Sequence, residues 1–213
     1  MSDLIAGALV AGGMVNAVLL YSFGSAWFRR GAPFVPTAAS KVNAIFGRGG
    51  VLEKVSGKRR HMIDLGSGGG ELVRAAARQG RWERATGYEI NGALLLYSRM
   101  RSGLSTNEHF QMKSLWDADV SDADLVFVYG VPSILTPLQR KLSRELPPGA
   151  HVVSNAFPFP PDHTWVEISR RWVEAGMTHG TLDDSSQIFL YRVGSPGGKK
   201  SGESKLPSAV LAE

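Results

Sequence analysis

The pattern of apolar and polar positions divides the chain into three regions. Residues 4–28 contain no charged side chain and are rich in Leu, Val, Ala and Gly. From residue 31 to 193, short apolar runs alternate with amphipathic segments, as in a domain built from alternating strands and helices. From residue 194 onward Gly, Ser, Pro and Lys dominate, and this composition buries too little apolar surface to fold. We predict an anchor at 1–30, one folded domain at 31–193 and a flexible tail at 194–213.

The uncharged segment 4–28 is long enough to cross a bilayer, which requires about 20 apolar residues. Arg29 and Arg30 follow it directly, so the positive-inside rule places the domain on the cytoplasmic side of a bacterial membrane or the matrix side of the mitochondrial inner membrane. The alternatives are a cleaved signal peptide and a buried core helix. The missing basic n-region and the length of the run disfavour the first, and uniform apolarity disfavours the second.

Seven apolar stretches of strand length predict one sheet within the domain: HMIDL, RATGYEI, HFQM, ADLVFVY, AHVVSN, TWVEI and QIFLYRV. Helices are predicted after the glycine-rich segment that follows the first strand, with Leu72, Val73, Ala76 and Ala77 on one apolar side, and at 92–101 and 137–145. The alternation indicates an α/β fold with a doubly wound, mainly parallel sheet. No helix is predicted between the last two strands, so we expect them to form an antiparallel pair at the sheet edge.

A glycine turn follows the first predicted strand. Gly66, Gly68 and Gly70 allow a sharp turn and a close approach of the backbone to a ligand, and the next helix presents its free N–H groups there. The G-x-G-x-G spacing differs from the G-x-G-x-x-G of dinucleotide sites. Glu89 lies 23 residues after Gly66, at the end of the second strand, where a carboxylate accepts hydrogen bonds from both hydroxyls of a ribose. The two features together indicate a ligand that contains a ribose.

Composition excludes several other chemistries. The chain has no cysteine, which excludes disulfides, thiolate metal sites and a cysteine nucleophile. Its five histidines are far apart and lack the i, i+4 spacing of a helical metal pair, so we predict no metal. The net charge is +5, but the basic residues are scattered along the sequence, and we predict no nucleic-acid partner.

The chain resembles a known family in motifs that occur in one order: PFVPT, DLGSGGG, GYEINGALLLYSR, SLW, DADLVFVYGVP, LSRELPPGAHVVSNAFPFP and FLYRV. The family is that of the single-span class I protein-lysine methyltransferases. It includes mitochondrial enzymes acting on the ATP synthase c subunit and on the adenine nucleotide translocase, together with bacterial relatives. The resemblance implies a seven-stranded class I methyltransferase sheet with an antiparallel C-terminal edge. It also implies S-adenosyl-L-methionine (AdoMet) as cofactor and lysine side chains of a membrane or membrane-associated protein as methyl acceptors.

The resemblance also implies which residues bind the cofactor. They lie at the glycine turn, at the ribose-binding acid and beside the adenine: Asp64, Gly66, Ser67, Gly68, Gly70, Glu89, Ser114, Leu115 and Trp116. Asp64 is placed to orient the turn or to meet the cofactor's ammonium through water, or else is a local turn acceptor.

This chain departs from its relatives at two motifs. Relatives read GSGDGR where this chain has Gly69 and Glu71, and DLW where it has Ser114. Because a hydroxyl accepts a weaker hydrogen bond from the adenine amino group than a carboxylate does, these departures predict weaker cofactor binding or a shift of substrate.

Methyl transfer to an amine requires a neutral, aligned nucleophile screened from water more than it requires acid or base catalysis. Asn155 and Phe157 follow the fifth predicted strand and Tyr129 ends the fourth, at the edge where doubly wound sheets bind ligands. We therefore take Asn155, Phe157 and Tyr129 as candidate catalytic residues, with plain packing as the alternative for each.

Two other functions remain open at this point. One is methylation of a lipid, a quinone or another small molecule at the membrane, which would require a large apolar pocket. The other is a non-catalytic membrane scaffold that retains the fold, with Gly69 and Ser114 as signs of an eroded cofactor site.

Overall fold

One mixed sheet with helices on both faces forms the domain. The computed structural model describes residues 37–55, 60–102, 105–173, 176–178, 181–183 and 186–194, so the predicted anchor at 4–28 and the tail from 195 lie outside the described residues. The helices are α1 (Ala39–Phe46), a 3-10 helix (Val51–Lys54), α2 (Glu71–Arg78), α3 (Gly92–Arg101) and α4 (Pro132–Glu145). The strands are β1 (His61–Leu65), β2 (Arg84–Glu89), β3 (Glu108–Met112), β4 (Leu125–Val128), β5 (His151–Asn155), β6 (Trp165–Val173), β7 (Gly176–Thr178), β8 (Thr181–Asp183) and β9 (Ser186–Val193).

The strand order in the main sheet is β3-β2-β1-β4-β5-β9-β6. Strands β1 to β5 pair in parallel, whereas β9 runs antiparallel to both β5 and β6. The predicted doubly wound, mainly parallel sheet with an antiparallel edge is therefore confirmed. Between β6 and β9 the chain forms a further antiparallel pair, β7 with β8, which the sequence pattern did not predict.

The reversal of strand order positions the ligand site. The chain builds β1, β2 and β3 in one direction and then returns to place β4 on the other side of β1. A crevice forms at such a switch point, beyond the carboxyl ends of the two strands. The glycine turn after β1 and Tyr129 after β4 both lie at this edge.

Alternating residues of the central strands form two separate cores. On β4, Leu125 and Phe127 belong to the core beneath α1 and α2, while Val126 and Val128 belong to the core beneath α4. This period of two fixes which face each helix covers. On α2, the predicted apolar side is buried as expected, at Leu72, Val73, Ala76 and Ala77.

Several predicted boundaries were wrong. Helix α4 begins at Pro132, five residues before the predicted start, because a proline is well tolerated in the first helical turn and Pro137 sits inside the helix. Strand β4 is shorter than predicted and β6 extends to Val173. Helix α1 and the 3-10 helix were not predicted.

The helices that the structure describes all lie between residues 39 and 145, within the predicted domain. Within the part of the chain that the structure describes, no helix is both long enough and apolar enough to span a bilayer.

A matched pair of glycines tests how tightly the turn is packed. Gly70 and Gly80 both have positive φ, at +80° and +63°, which costs an alanine about 1–2 kcal/mol. A Cβ at Gly70 would lie 2.6 Å from the ring of Phe110, whereas one at Gly80 would meet nothing within 4 Å. We expect Gly70→Ala to lower the free energy of unfolding by about 3 kcal/mol and Gly80→Ala by about 1 kcal/mol, since only the first adds overpacking. Urea titrations measure both, and equal losses would contradict the packing.

Candidate cofactor and acceptor site

The glycine turn is tied to the neighbouring strand by backbone hydrogen bonds. The N–H groups of Gly66 and Ser67 both donate to the carbonyl of Tyr88, at 2.9 and 3.0 Å. Gly66, Gly68 and Gly70 have φ values of 93°, 52° and 80°, in the left-handed region that favours glycine. The turn at these positions therefore depends on the absence of side chains.

Glu89 joins the turn to the start of α3. Its carboxylate is buried and accepts hydrogen bonds from the backbone N–H of Gly68 at 2.9 Å and of Asn91 at 2.7 Å. Asn91 in turn caps α3, because its side-chain oxygen accepts from Ala93 N–H at 3.0 Å. A carboxylate has about four acceptor positions, so Glu89 keeps capacity for ribose hydroxyls beside these two bonds.

Asp64 is a buried acid near the end of β1, two residues before Gly66. Burial raises the pKa of Asp64 to about 8, and the carboxylates of Glu71 and Glu89 contribute to the rise. The charged groups that act on Asp64 are therefore both anions. Its carboxyl favours the neutral form until a positive charge comes close.

The residues predicted to bind adenine, Ser114, Leu115 and Trp116, lie next to Glu89 in the segment 113–117. Lys113 N–H donates to the carbonyl of Glu89 at 3.2 Å. Ser114 Oγ accepts from Trp116 N–H at 3.3 Å, so this hydroxyl also stabilises the local turn. Leu115 packs on the core, and Trp116 is 44% exposed.

The candidate acceptor residues lie at the ends of β4 and β5, which are neighbours in the sheet. Ala156 between Asn155 and Phe157 has a φ of 72°, an unusual value for a residue other than glycine. Two hydrogen bonds hold this turn: Ala156 N–H donates to the Gln187 carbonyl at 2.8 Å, and Ser154 O–H donates to the Phe157 carbonyl at 2.6 Å. Asn155 and Phe157 are therefore held in fixed positions at the edge.

One charged residue near the candidate acceptor residue Tyr129 was not predicted from the sequence. Lys41 on α1 is 2% exposed, and its Nζ lies 5.5 Å from the centroid of the Tyr129 ring. Its segment carries no local motif, and the contact arises only because α1 packs against the sheet.

The residues of the turn fit AdoMet. At Gly66 nothing lies within 4 Å of the position that a Cβ would take, which leaves room for a ligand against the backbone. The three carboxyl groups of Asp64, Glu71 and Glu89 suit a cofactor with positively charged groups. Only the backbone of Ser67 is placed to contact a ligand, because its side-chain Oγ is buried against Gly87. Among the described residues, no group of three His, Asp or Glu side chains is placed to hold a metal ion.

Comparison with known proteins identifies relatives by sequence. The model of the ANTKMT methyltransferase domain matches residues 64–165. The chain is similar to the ATP synthase c-subunit lysine N-methyltransferase of Rattus norvegicus, with 35% identity over 170 residues, which cover 77% of this chain and 74% of the relative. It is also similar to adenine nucleotide translocase lysine N-methyltransferase of Mus musculus, with 38% identity over 140 residues, covering 64% and 57% of the two chains.

Solved structures share the fold. An RNA methyltransferase from Salinibacter ruber in complex with S-adenosyl-L-homocysteine (AdoHcy) has a TM-score of 0.59 and 27% identity, covering 79% of this chain and 100% of that one. Precorrin-6y C5,15-methyltransferase from Geobacter metallireducens has a TM-score of 0.58 and 18% identity, covering 76% and 92%.

The fold and the glycine turn, together with these likenesses, define an AdoMet-dependent class I methyltransferase. Within that class, the chain belongs to the family of protein-lysine N-methyltransferases that includes the enzymes for the ATP synthase c-subunit and for the adenine nucleotide translocase.

Asp64 predicts a pH-dependent stability of the cofactor-free protein. Its pKa is about 8 in the folded state, against about 3.9 for an unfolded Asp, so the folded protein binds this proton more tightly. The resulting stabilisation is complete below about pH 4 and is lost as the pH rises through about 8. The neutral Asp64→Asn variant does not titrate. Relative to wild type, we expect its free energy of unfolding to rise by up to about 1.4 kcal/mol per pH unit between pH 5 and 8. Urea unfolding at the two pH values measures this, and a difference independent of pH would contradict a raised pKa.

Proposed function

We propose that this enzyme transfers methyl groups from AdoMet to lysine side chains of a membrane or membrane-associated protein. The observation that carries the proposal is the convergence of two sets of strand ends. The ends of β1 and β2 present the predicted cofactor residues, and the ends of β4 and β5 present the candidate acceptor residues at the same edge. The relatives named above are lysine N-methyltransferases for the ATP synthase c-subunit and for the adenine nucleotide translocase.

In this proposal the cofactor is held from three sides. The backbone of Gly66, Ser67, Gly68 and Gly70 and the carboxyl of Asp64 face its amino-acid part. Glu89 accepts hydrogen bonds from the ribose hydroxyls while its carboxylate continues to hold the turn. Ser114, Leu115 and Trp116 line the adenine, with Trp116 exposed enough to stack on a flat ring.

The acceptor lysine is oriented by the residues at the ends of β4 and β5. When bound, AdoMet supplies an electrophilic methyl group on a sulfonium. The side-chain oxygens of Asn155 and Tyr129 accept hydrogen bonds from the amine N–H groups, which points the nitrogen lone pair at that methyl group. The lysine ammonium would first release a proton to solvent, and its neutral nitrogen would then take the methyl group, leaving AdoHcy and a methylated ammonium. Phe157, partly exposed at the rim, covers the methylene groups of the lysine and excludes water.

The strained backbone at Ala156 supports a functional role for this turn. A left-handed conformation costs a non-glycine residue about 1–2 kcal/mol, and such strain persists where the surrounding structure enforces it. Here the bond to Gln187 and the bond from Ser154 enforce it. The consequence is that Asn155 and Phe157 are aimed before any substrate binds.

The relatives favour a protein acceptor over a lipid or a quinone, because those named above are lysine N-methyltransferases for proteins. A lipid acceptor would call for a large apolar pocket at the carboxyl edge. A cavity of about 270 Å³ lies near the C-terminal end of α2, at the opposite end of that helix from the glycine turn, and its lining is mostly polar: Phe46, Gly47, Arg48, Leu52, Glu53, Gln79 and Arg81. This cavity offers no support for a lipid at the site.

Residues 4–28 act, in this proposal, as a single-pass anchor that keeps residues 31–193 on the cytoplasmic or matrix side, with 194–213 as a flexible tail. An anchored enzyme meets membrane-resident substrates at a raised effective concentration. Arg29 and Arg30 mark the side on which the domain stays.

Mass spectrometry of membrane proteins from cells with and without the gene tests the function directly. We expect a lysine of a membrane protein to lose its methyl mass in the deletion and to regain it with the intact gene, but not with an Asn155→Ala variant. Methylation found only on lipids or quinones would overturn the proposal.

Ser114 provides a test of the predicted adenine side. If it stands where relatives carry an adenine-binding Asp, Ser114→Asp tightens AdoMet binding, because a carboxylate accepts a stronger hydrogen bond from an amino group. We expect a gain of about 1 kcal/mol, or roughly fivefold in affinity, by calorimetry. Unchanged or weaker binding would show that Ser114 does not face the adenine.

Deletion of residues 4–28 tests the anchor. We expect the truncated protein to bind AdoMet as the intact protein does, but to be extracted by carbonate and to methylate its membrane target at least about tenfold more slowly, because the effective concentration is lost. Equal methylation in cells by the two forms would rule out an anchoring role.

A further inference from the structure

The carboxylate of Glu71 fills the space beside Gly69. A Cβ at Gly69 would lie 2.6 Å from Glu71 Oε1 and 3.0 Å from Oε2. Glu71 is the first residue of α2, where an acidic side chain is favoured by the helix dipole. Its carboxylate folds back over the glycine turn, so it lies beside the backbone of residue 69.

Arg74 holds the carboxylate in this position. Its Nη2 lies 3.3 Å from Glu71 Oε1, one helical turn further on, and the guanidinium is buried. The relatives' GSGDGR pattern has an acid at position 69 and a base at position 71. In this chain the acid comes at 71 and the base at 74, so the order of charges is kept in a shifted register.

Glu71 also acts on the buried acid of the turn. After burial, Glu71 is the largest cause of the raised pKa of Asp64, ahead of Glu89. Glu71 and Asp64 therefore both contribute to the acidic environment of the turn, and the Glu71 carboxylate lies beside the backbone of residue 69. A pair of like-charged acids is stabilised by a cation with several N–H donors.

We propose that Glu71 is a further cofactor-binding residue, which together with Asp64 receives the α-ammonium group of AdoMet in place of an acid at position 69. The ammonium suits this pair because it offers three N–H donors, whereas the sulfonium offers none. The inference depends on AdoMet as cofactor and not on the identity of the methyl acceptor. It also explains why the loss of an acid at position 69 does not erode the site.

Three ligands separate this role from a structural one. AdoMet and AdoHcy both carry the α-ammonium, whereas 5′-methylthioadenosine has the same adenosine without the amino-acid part. By calorimetry on the full chain, Glu71→Gln should weaken AdoMet and AdoHcy by about tenfold or more and leave methylthioadenosine unchanged. The control Glu89→Gln should weaken all three ligands, because every one of them contains the ribose.

A relocated carboxylate provides the second arm of the experiment. Gly69 does not have a positive φ, so an Asp there is blocked only by the flexible end of Glu71. Glu71→Ala should weaken AdoMet as Glu71→Gln does, and the double variant Gly69→Asp/Glu71→Ala should restore most of the affinity. Gly69→Asp alone should bring no gain, because two carboxylates then compete for one space.

Several results would overturn the proposal. Unchanged AdoMet binding in Glu71→Gln would remove Glu71 from the site. Equal weakening of methylthioadenosine would assign it a purely structural role in the turn. Weakening of AdoMet alone, with AdoHcy unaffected, would mean that the sulfonium and not the ammonium is recognised. Failure of Gly69→Asp/Glu71→Ala to recover affinity would contradict the equivalence of positions 69 and 71.

Discussion

The candidate cofactor site depends on the two hydrogen bonds that the buried carboxylate of Glu89 accepts. The carboxylate accepts N–H bonds from Gly68 in the glycine turn and from Asn91 at the start of α3, so one side chain fixes two segments that approach the same crevice. Charge-assisted bonds to backbone N–H groups are stronger than neutral ones, and a buried carboxylate without them would be costly. The geometry of the turn and the position of the proposed ribose acceptor are therefore set by the same group.

Electrostatics complements this geometry. Three acids, Asp64, Glu71 and Glu89, belong to the site, and the burial of Asp64 keeps its carboxyl neutral over much of the physiological pH range before a cation arrives. In the proposed function, a positively charged cofactor would lower the cost of ionising Asp64 beside Glu71 and Glu89. At the ends of β4 and β5, the Lys41 ammonium lies 5.5 Å from the centroid of the Tyr129 ring, and Ala156 has a φ of 72° beside the candidate acceptor residues.

The features predicted from sequence are those that local pattern controls. The apolar strand segments, the apolar side of α2 and the glycine spacing are all local. The 23-residue step from Gly66 to Glu89 spans the turn, α2, the connection after it and β2. Helix α1 could not be predicted, because Ala44 and Ile45 become a buried face only when the sheet lies beneath them. The role of Glu71 could not be found from the motif either, since Gly69 looked like a loss until the carboxylate of Glu71 was seen beside it. The strained Ala156 depends on partners from a distant strand.

A crystal structure of the full chain with AdoHcy tests the central claim, that the cofactor lies across the carboxyl edge between Glu89 and the ends of β4 and β5. The account predicts both ribose hydroxyls within hydrogen-bond distance of the Glu89 carboxylate and the homocysteine sulfur pointing towards Asn155 and Tyr129. A ribose bound away from Glu89, or a sulfur pointing away from the ends of β4 and β5, would contradict it.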